Sequence, residues 1–309
     1  MKAISRLRCL VMLWLLLIGV TTRGAATFSV ASYNVENYLA EPGGTRPAKP
    51  VEAKDHVRES IRTLKADVLA LQEIGGTNAL LELRASLKAE GLDYPHWELV
   101  TGADTNIHVA VLSRFPFTAR RPHTNDNFLL NGRRFRVSRG FAEVDVQVTP
   151  RYQFTLVAAH LKSKRPVPEA DQAELREQEA VWLRKNIDAR LTANPNLDLI
   201  VVGDLNDTRD TKAIKTVIGR GKRALIDTRP AERNGAPPPT ADPNHSPRNV
   251  TWTYHYGKED TYSRIDYLLI SRGLAHAWET NGTFVLALPN WGAASDHRPI
   301  IGSFRVEDK

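Results

Sequence analysis

The chain has 309 residues, a formal charge of +7, 25% charged residues and a single cysteine, Cys9. One thiol excludes a disulfide framework and a thiolate metal site, and the length is enough for a core that stands without covalent staples. The positive charge is weak evidence for a polyanionic partner, because four of the basic residues lie in the first 23 positions.

Lys2, Arg6 and Arg8 precede an apolar run from Cys9 to Val20, and Gly24-Ala25-Ala26 comes after it. That order is the pattern of a secretory signal peptide, with an apolar run too short for a stable membrane span. An uncleaved N-terminal anchor is the alternative. Cleavage near Ala26 removes Lys2, Arg6, Arg8 and Arg23 and takes the formal charge from +7 to +3. The expected location is the periplasm or the medium. Residues 27–309 show no repeat and no long linker and are expected to form one domain.

Thr27 to Asn34 alternates around Phe28 and Val30 and predicts the first strand, with Glu36 and Asn37 behind it. Glu41 to Pro50 is rich in Pro and Gly and reads as a loop; Val57, Ile61 and Leu64 space the apolar face of a helix over Asp55–Leu64. Val68 to Leu71 predicts a buried strand ending at Gln72-Glu73, and Asn78 is the expected N-cap of a helix to about Glu90. Trp97–Val100 and His108–Ser113 read as strands. Asn131-Gly132 marks a hairpin within Arg121–Arg139, crowded by Arg133, Arg134, Arg136 and Arg139. Those arginines suit phosphate contacts, or a solvated edge where charge discourages aggregation.

Gly140–Val148 and Phe154–Ala159 alternate as strands, the second ending at His160-Leu161-Lys162-Ser163. Glu169–Leu191 is a long amphipathic helix with Leu175, Trp182, Leu183 and Ile187 on one side. Leu197 to Asp207 reads as a short buried strand that stops at Gly203, with Asp204, Asn206 and Asp207 behind it. Thr211–Ile218 is a short helix, Arg229–Arg248 a surface loop, and Val250–Tyr254, Arg264–Ile270, Thr283–Leu288 and Ile300–Arg305 are strands. Many strands with about four helices predict an α/β protein of packed sheets with helices outside.

One pattern repeats along the chain. Apolar strands end in a residue with metal or proton chemistry: Asn34, Glu73, His160, Asp204 with Asn206, and Asp296 with His297. Asp266 lies inside an apolar strand, where a carboxylate is costly unless paired, and Arg264 is one available partner. Each has an innocent reading as a turn, surface or satisfied core residue; together they suit phosphodiester hydrolysis. Carboxylates such as Glu73 hold a hard divalent ion, Asp204 or a His–Asp pair can accept a proton from water, and Asn206 and a histidine can donate to phosphoryl oxygens.

The set resembles the endonuclease/exonuclease/phosphatase superfamily, the DNase I-like fold. Its landmarks are matched in order by Ser32-Tyr33-Asn34-Val35-Glu36-Asn37, Leu71-Gln72-Glu73, His160-Leu161-Lys162-Ser163, Gly203-Asp204-Leu205-Asn206-Asp207, Thr251-Trp252, Arg264-Ile265-Asp266-Tyr267 and Ser295-Asp296-His297-Arg298-Pro299. The resemblance implies a four-layer α/β/β/α sandwich of two mixed sheets flanked by helices, with the site at one edge of both sheets. It also implies that Glu73 binds Mg²⁺ (Mn²⁺ or Ca²⁺ being alternatives), with Asn34 and Asp296 near the metal. His297, oriented by Asp266, becomes the general base or an equivalent phosphate partner. Asp204 aligns the attacking water, and Asn206 and His160 hold the phosphate, His160 also serving as a proton source for the leaving oxygen. One-metal and two-metal schemes both fit.

His160 resembles the DNase I, sphingomyelinase and secreted bacterial nuclease branches, whereas exonuclease III-type enzymes place tyrosine there. Asp207 after Asn206 departs from the inositol-phosphatase branch, and Ile74-Gly75-Gly76 lacks the arginine with which DNase I enters the minor groove. The expectation is a secreted, metal-dependent nuclease of low sequence specificity, acting as a monomer without an obligate protein partner. A phospholipid or small phosphate ester is the alternative substrate, and a non-catalytic binding protein on the same scaffold the third reading.

Overall fold

Side-chain alternation along the strands decides the architecture. The computed structural model of the protein describes residues 25–233 and 250–307. The predicted signal segment up to residue 24, and most of the predicted Arg229–Arg248 loop, lie outside the described residues. In chain order the elements are β1 (Ala25–Tyr38), α1 (Val51–Leu64), β2 (Val68–Ile74), α2 (Gly76–Ala89), β3 (His96–Val100), β4 (His108–Ser113), β5 (Phe117–His123), β6 (Asn127–Leu130), β7 (Arg133–Arg136), β8 (Phe141–Thr149) and β9 (Tyr152–His160). They continue with α3 (Gln172–Ala193), β10 (Leu199–Asp204), α4 (Lys212–Ile218), β11 (Ile226–Asp227), β12 (Ala231–Glu232), β13 (Tyr254–Tyr256), β14 (Thr261–Ser263), β15 (Asp266–Ile270), β16 (Trp278–Val285), α5 (Trp291–Ala294) and β17 (Ile300–Glu307).

Two large sheets form, one in the order β12-β16-β17-β1-β2-β4-β3 and one in the order β11-β15-β10-β9-β8-β5. Both are mixed: β1 runs parallel to β2 and β9 parallel to β10, while the neighbours β17, β4, β8 and β15 are antiparallel to them. Each of these two pairs is joined through a helix, α1 or α3, as a crossover requires; the short β12 also runs parallel to β16.

Side chains two apart along a strand share a face. Phe28 and Val30 of β1, Val68 and Ala70 of β2, Leu156 and Ala158 of β9, and Ile200 and Val202 of β10 all enter one cluster between the sheets. Their alternates face outward. Ala31, Tyr33, Leu69 and Leu71 pack with Val57 and Ile61 of α1 and Leu80 and Leu83 of α2. Val157, Leu199 and Val201 pack with Leu183 and Ile187 of α3 and Ile214 of α4. Three apolar layers therefore separate four layers of structure, the α/β/β/α order that the resemblance implies. Strands covered on both faces carry near-continuous apolar runs, which is why β2, β4 and β10 are so plain in the sequence.

Several boundaries differ from expectation. Helix α1 begins at Val51 directly after Pro50, four residues before the predicted Asp55. Helix α2 begins at Gly76 with Gly75 in the capping position, so Asn78 is not the cap. A Cβ at Gly75 would lie 2.9 Å from Leu39 Cα, so the close passage of the β1 exit fixes glycine there. The predicted strand over Val250–Tyr254 is absent as such; β13 starts at Tyr254, and Thr253 instead bonds to Ser263 and Arg298 through its backbone. Strand β16 lies at Trp278–Val285 rather than Thr283–Leu288. Strand β5 was not expected, because its two arginines, Arg120 and Arg121, and its edge position leave little apolar signal.

Candidate active site

Both parallel pairs deliver their carboxyl ends to the same edge of the sandwich, the place where ligand sites form in sheets of this type. In the first sheet the register slips between Asn34 and Tyr38 on β1 and between Gln72 and Ile74 on β2. Glu36, Asn37 and Glu73 take left-handed backbone conformations there, with φ of 42°, 49° and 67°. Such bulges re-aim side chains, and this one turns Glu73 toward Asn34. The Glu73 carboxylate accepts from Asn37 N at 2.9 Å and faces Asn34 Nδ2 at 3.5 Å.

In the second sheet Asp204 registers between His160 on β9 and Asp266 on β15. Gly203 permits this approach. Its φ is 140°, and a Cβ there would fall 1.8 Å from Ala159 O. Asn206 comes next in a left-handed turn, its N–H donating to Asp204 Oδ1 at 2.8 Å and its Nδ2 to Leu161 O at 3.0 Å. His297 precedes β17, where Ser295 Oγ receives its N–H at 3.0 Å and donates to Asn34 O at 2.7 Å. That hydroxyl ties the His297 loop to β1.

All eight predicted site residues meet. Asn34 Nδ2 donates to Asp204 Oδ2 at 3.0 Å and lies 3.4 Å from His297 Nε2. His297 Nδ1 is 2.8 Å from Asp266 Oδ2, and its Nε2 is 3.7 Å from Asp204 Oδ2 and 3.9 Å from Asp296 Oδ1. His160 Nε2 is 3.4 Å from Asp204 Oδ2 and 4.0 Å from Glu73 Oε1. Asp266 does not pair with Arg264, whose guanidinium makes two bonds to Asp227 at 3.0 and 2.7 Å. Thr253 Oγ1 instead fixes Asp266, accepting from its N–H at 3.1 Å.

Burial sets the protonation states. It is the largest cause raising Asp204 to about 7; His297 opposes it and Asp266 adds to it. Burial likewise raises Asp296 to about 7, with His297 opposing and Glu36 and Glu73 adding. For His297 burial opposes the charge, but the Asp266 and Asp204 carboxylates outweigh it and hold the ring well above its usual pKa. His160 goes the other way: burial, then Arg139 and His297, keep it neutral at ordinary pH. Among the described residues neither ring nitrogen of His160 has a hydrogen-bond partner, so a neutral N–H is free for a ligand.

The carboxylates of Glu73 and Asp296 suit a hard divalent cation, and the charge of Glu73 opposes the ionisation of Asp296; Asn34 turns its Nδ2 toward Glu73 Oε1 at 3.5 Å, while its Oδ1 accepts from Glu36 N at 3.0 Å. A second grouping, Asp204, Asp266 and His297, brings its ligand atoms within 4.8 Å of one another. There the His297 Nδ1–Asp266 bond is already made and the atoms are buried, so a shared proton serves that grouping better than an ion.

Sequence reasoning missed several neighbours. Glu36 Oε2 accepts from Asp296 N at 3.2 Å, and Lys49 Nζ donates to Glu36 O at 2.9 Å. Lys49 was hidden in the predicted loop. Arg139 is not part of the basic hairpin: it is buried, donates to Leu161 O at 3.1 Å and lies 3.6 Å from Asp104. Arg136 likewise bonds Gly102 O at 2.7 Å. Asp207 binds Arg176 at 2.9 Å and braces the loop without entering the site.

No curated protein matches the chain in sequence. Among solved structures, truncated TDP2 of Caenorhabditis elegans superposes with a TM-score of 0.60 at 15% identity, covering 91% of this chain and 98% of that one. The human Nocturnin catalytic domain with bound sulfate gives 0.57 at 17% identity, covering 91% and 97%. Sphingomyelinase C of Streptomyces griseocarneus gives 0.57 at 17% identity, covering 90% and 99%. At these identities the likeness shows the fold, which is DNase I-like. The Endonuclease/Exonuclease/phosphatase family profile matches residues 31–297, a span that holds all eight site residues, and the chain belongs to that family of metal-dependent hydrolases.

Proposed function

We propose that the protein is a secreted phosphodiesterase that hydrolyses nucleic-acid strands with low sequence specificity, with Mg²⁺ as its cation. The observation that carries the reaction class is the meeting of Asn34, Glu73, His160, Asp204, Asn206 and His297 within hydrogen-bonding or ion-pairing range at one edge of the two sheets. Support for secretion comes from the N-terminal sequence pattern alone.

A hard cation held by Glu73 and Asp296, with Asn34 beside it, would supply Lewis-acid stabilisation of phosphoryl charge. Asp204, with its proton affinity raised to about 7, is matched to taking a proton from water near neutral pH. Asn34 and Asn206 both donate to Asp204 Oδ2, at 3.0 and 3.1 Å, and hold that acceptor in place. The charged His297, kept in one orientation by Asp266, offers its Nε2 proton to a phosphoryl oxygen. Neutral His160 supplies a second donor that has no competing partner among the described residues.

A nucleic-acid substrate is favoured by the surroundings of His297. The bridge between Tyr254 and His297 and the bond from His255 N to Asp296 O at 2.9 Å fasten β13 beside the site. Tyr254 lies 4.8 Å from the His297 ring, and Tyr256, one alternation further out, stacks on Tyr254 at 6.4 Å and 26°. On the opposite face His255 and Tyr262 stack at 4.6 Å and pack against Trp252 and Trp291. A braced pair of tyrosines leading away from the phosphate position suits nucleobases, which stack without regard to sequence.

The test is hydrolysis of single-stranded DNA, duplex DNA, RNA and sphingomyelin vesicles by purified protein, with Mg²⁺ and with EDTA. Metal-dependent cleavage of a nucleic acid is expected, and of single strands at least as fast as duplex. Intact nucleic acids beside hydrolysed sphingomyelin would replace this reading with the lipid one.

A further inference from the structure

The arginine-rich hairpin β6–β7 has no part in the chemistry so far, and its charge is left open. Arg133, Arg134 and Arg136 are exposed. Arg134 Nη1 donates to Asn127 Oδ1 at 2.6 Å, Arg136 Nη2 donates to Gly102 O at 2.7 Å, and Arg133 lies over the Phe135 ring at 5.6 Å. None of the three meets a carboxylate among the described residues, whereas Arg139, Arg176 and Arg264 are paired with Asp104, Asp207 and Asp227. The hairpin is firmly anchored. Phe128 and Phe135 stack at 5.9 Å and join the apolar cluster under α3, while Leu129 and Arg134 are paired on the other face. At its base Val137 N donates to Asp126 O at 2.9 Å, and Ser138 N donates to Glu179 Oε1 at 2.8 Å. Glu179 Oε2 accepts from Lys162 N at 2.6 Å, two residues past His160, so one carboxylate ties the hairpin to the site.

Its place in the sheet matters as much as its charge. Strands β9 and β10 end in His160 and Asp204; β8 flanks the first and β15 the second. Strand β7 leads into β8 and β14 leads into β15, both at the site edge, where Phe141 registers with Ala159 and Asp266 with Asp204. The two small hairpins therefore stand on opposite sides of the site, entering strands three spacings or ~14 Å apart. We propose that β6–β7 is a phosphate clamp for a single nucleic-acid strand lying across these strand ends, with Tyr254 and Tyr256 of the other hairpin under its bases. The proposal rests on the nucleic-acid reading above and gives that substrate its path. Arg134 and Arg136 are two residues apart on one face, ~7 Å, comparable with one step along an extended strand, and guanidinium forks match phosphate oxygens. A strand is favoured over a lipid surface because Phe128 and Phe135 turn inward and Leu129 is the one large apolar side chain the hairpin exposes, too little to enter a bilayer.

The experiment is fluorescence anisotropy of a labelled phosphorothioate DNA strand of about 20 nucleotides, which keeps the backbone charge and resists hydrolysis, bound by the purified protein in Mg²⁺ over a series of NaCl concentrations. Thermal melting checks the folding of each variant. Each phosphate neutralised on a single strand contributes about 0.7 to the slope of log affinity against log salt. The triple variant Arg133→Gln, Arg134→Gln, Arg136→Gln is therefore expected to bind more weakly at low salt and to lose about two units of that slope. The matching triple lysine variant keeps the charge and is expected to keep the slope. If the glutamine triple does not fold, Arg134→Gln alone is expected to lose about 0.7. An unchanged slope in the glutamine variants, or an equal loss in the lysine variant, would overturn the clamp while leaving the nucleic-acid reading standing. A loss confined to binding of phosphatidylglycerol vesicles would overturn it too, and make the hairpin a membrane contact. No binding of the strand by wild type would overturn the nucleic-acid reading itself.

Discussion

Replacing Asp266 by asparagine changes one buried oxygen for a nitrogen, and the surroundings fix the consequences. In the native protein Asp266 Oδ2 accepts from His297 Nδ1 at 2.8 Å, and Oδ1 has no partner among the described residues. If the new amide presents its oxygen to His297, its NH₂ occupies the Oδ1 position, where no acceptor waits; an unsatisfied buried donor costs about 1–3 kcal/mol. If it presents its NH₂, the ring must carry its proton on Nε2 and use Nδ1 as acceptor. Either way the carboxylate that favours the charged ring is gone. The comparable loss in an oriented imidazole pair is about 10³–10⁴-fold in kcat, or ~4–5 kcal/mol of transition-state stabilisation. Asp266→Asn is therefore expected to keep its fold, melt a few degrees lower and lose about three orders of magnitude in kcat on a soluble phosphodiester, with KM little changed. A variant within about fivefold of wild type would refute the role given to the His297–Asp266 pair.

Other expectations are independent of that pair. Gly203→Ala forces a Cβ against Ala159 O and strains a backbone at φ 140°; a cost of at least about 3 kcal/mol and a melting point about 6–12 °C lower are expected by calorimetry. Glu179→Ala leaves Ser138 N and Lys162 N, now bonded at 2.8 and 2.6 Å, without their buried acceptor, and chemical denaturation is expected to show a loss of about 3 kcal/mol. A Tyr254→Ala, Tyr256→Ala double variant is expected to raise KM about tenfold or more for single-stranded DNA. Its kcat on a small alkyl phosphodiester should not move; a parallel loss on both substrates would show that the tyrosines hold the site together rather than the strand.

Much of the framework was legible because burial on both sheet faces forces near-continuous apolar runs, and because a strand's last residue is where polarity returns. That is how His160 and Asp204 stand out in the sequence; Asn34 marks instead where the β1–β2 register slips, and β1 runs on to Tyr38. Edge strand β5 was illegible for the opposite reason: Arg120 and Arg121 put charge on both of its faces and leave no apolar run. The carboxylate of Glu73 could be named but not aimed, since its direction depends on two bulges and a left-handed backbone that no local pattern announces. Lys49 and Arg139 were missed or misplaced because their meaning is tertiary. One belongs to a loop whose only sequence signal is Pro and Gly. The other adjoins a basic hairpin in sequence but turns inward to Leu161 and Asp104. Asp266 gave a clear warning as a charge in an apolar strand, yet its nearest partner in sequence, Arg264, is committed to Asp227.

The most direct test of the site is an anomalous difference map from crystals of the protein grown with Mn²⁺. A single peak beside the Glu73 carboxylate, reached also by Asp296, is the predicted result. A peak among Asp204, Asp266 and His297, or none at this edge of the sheets, would contradict it.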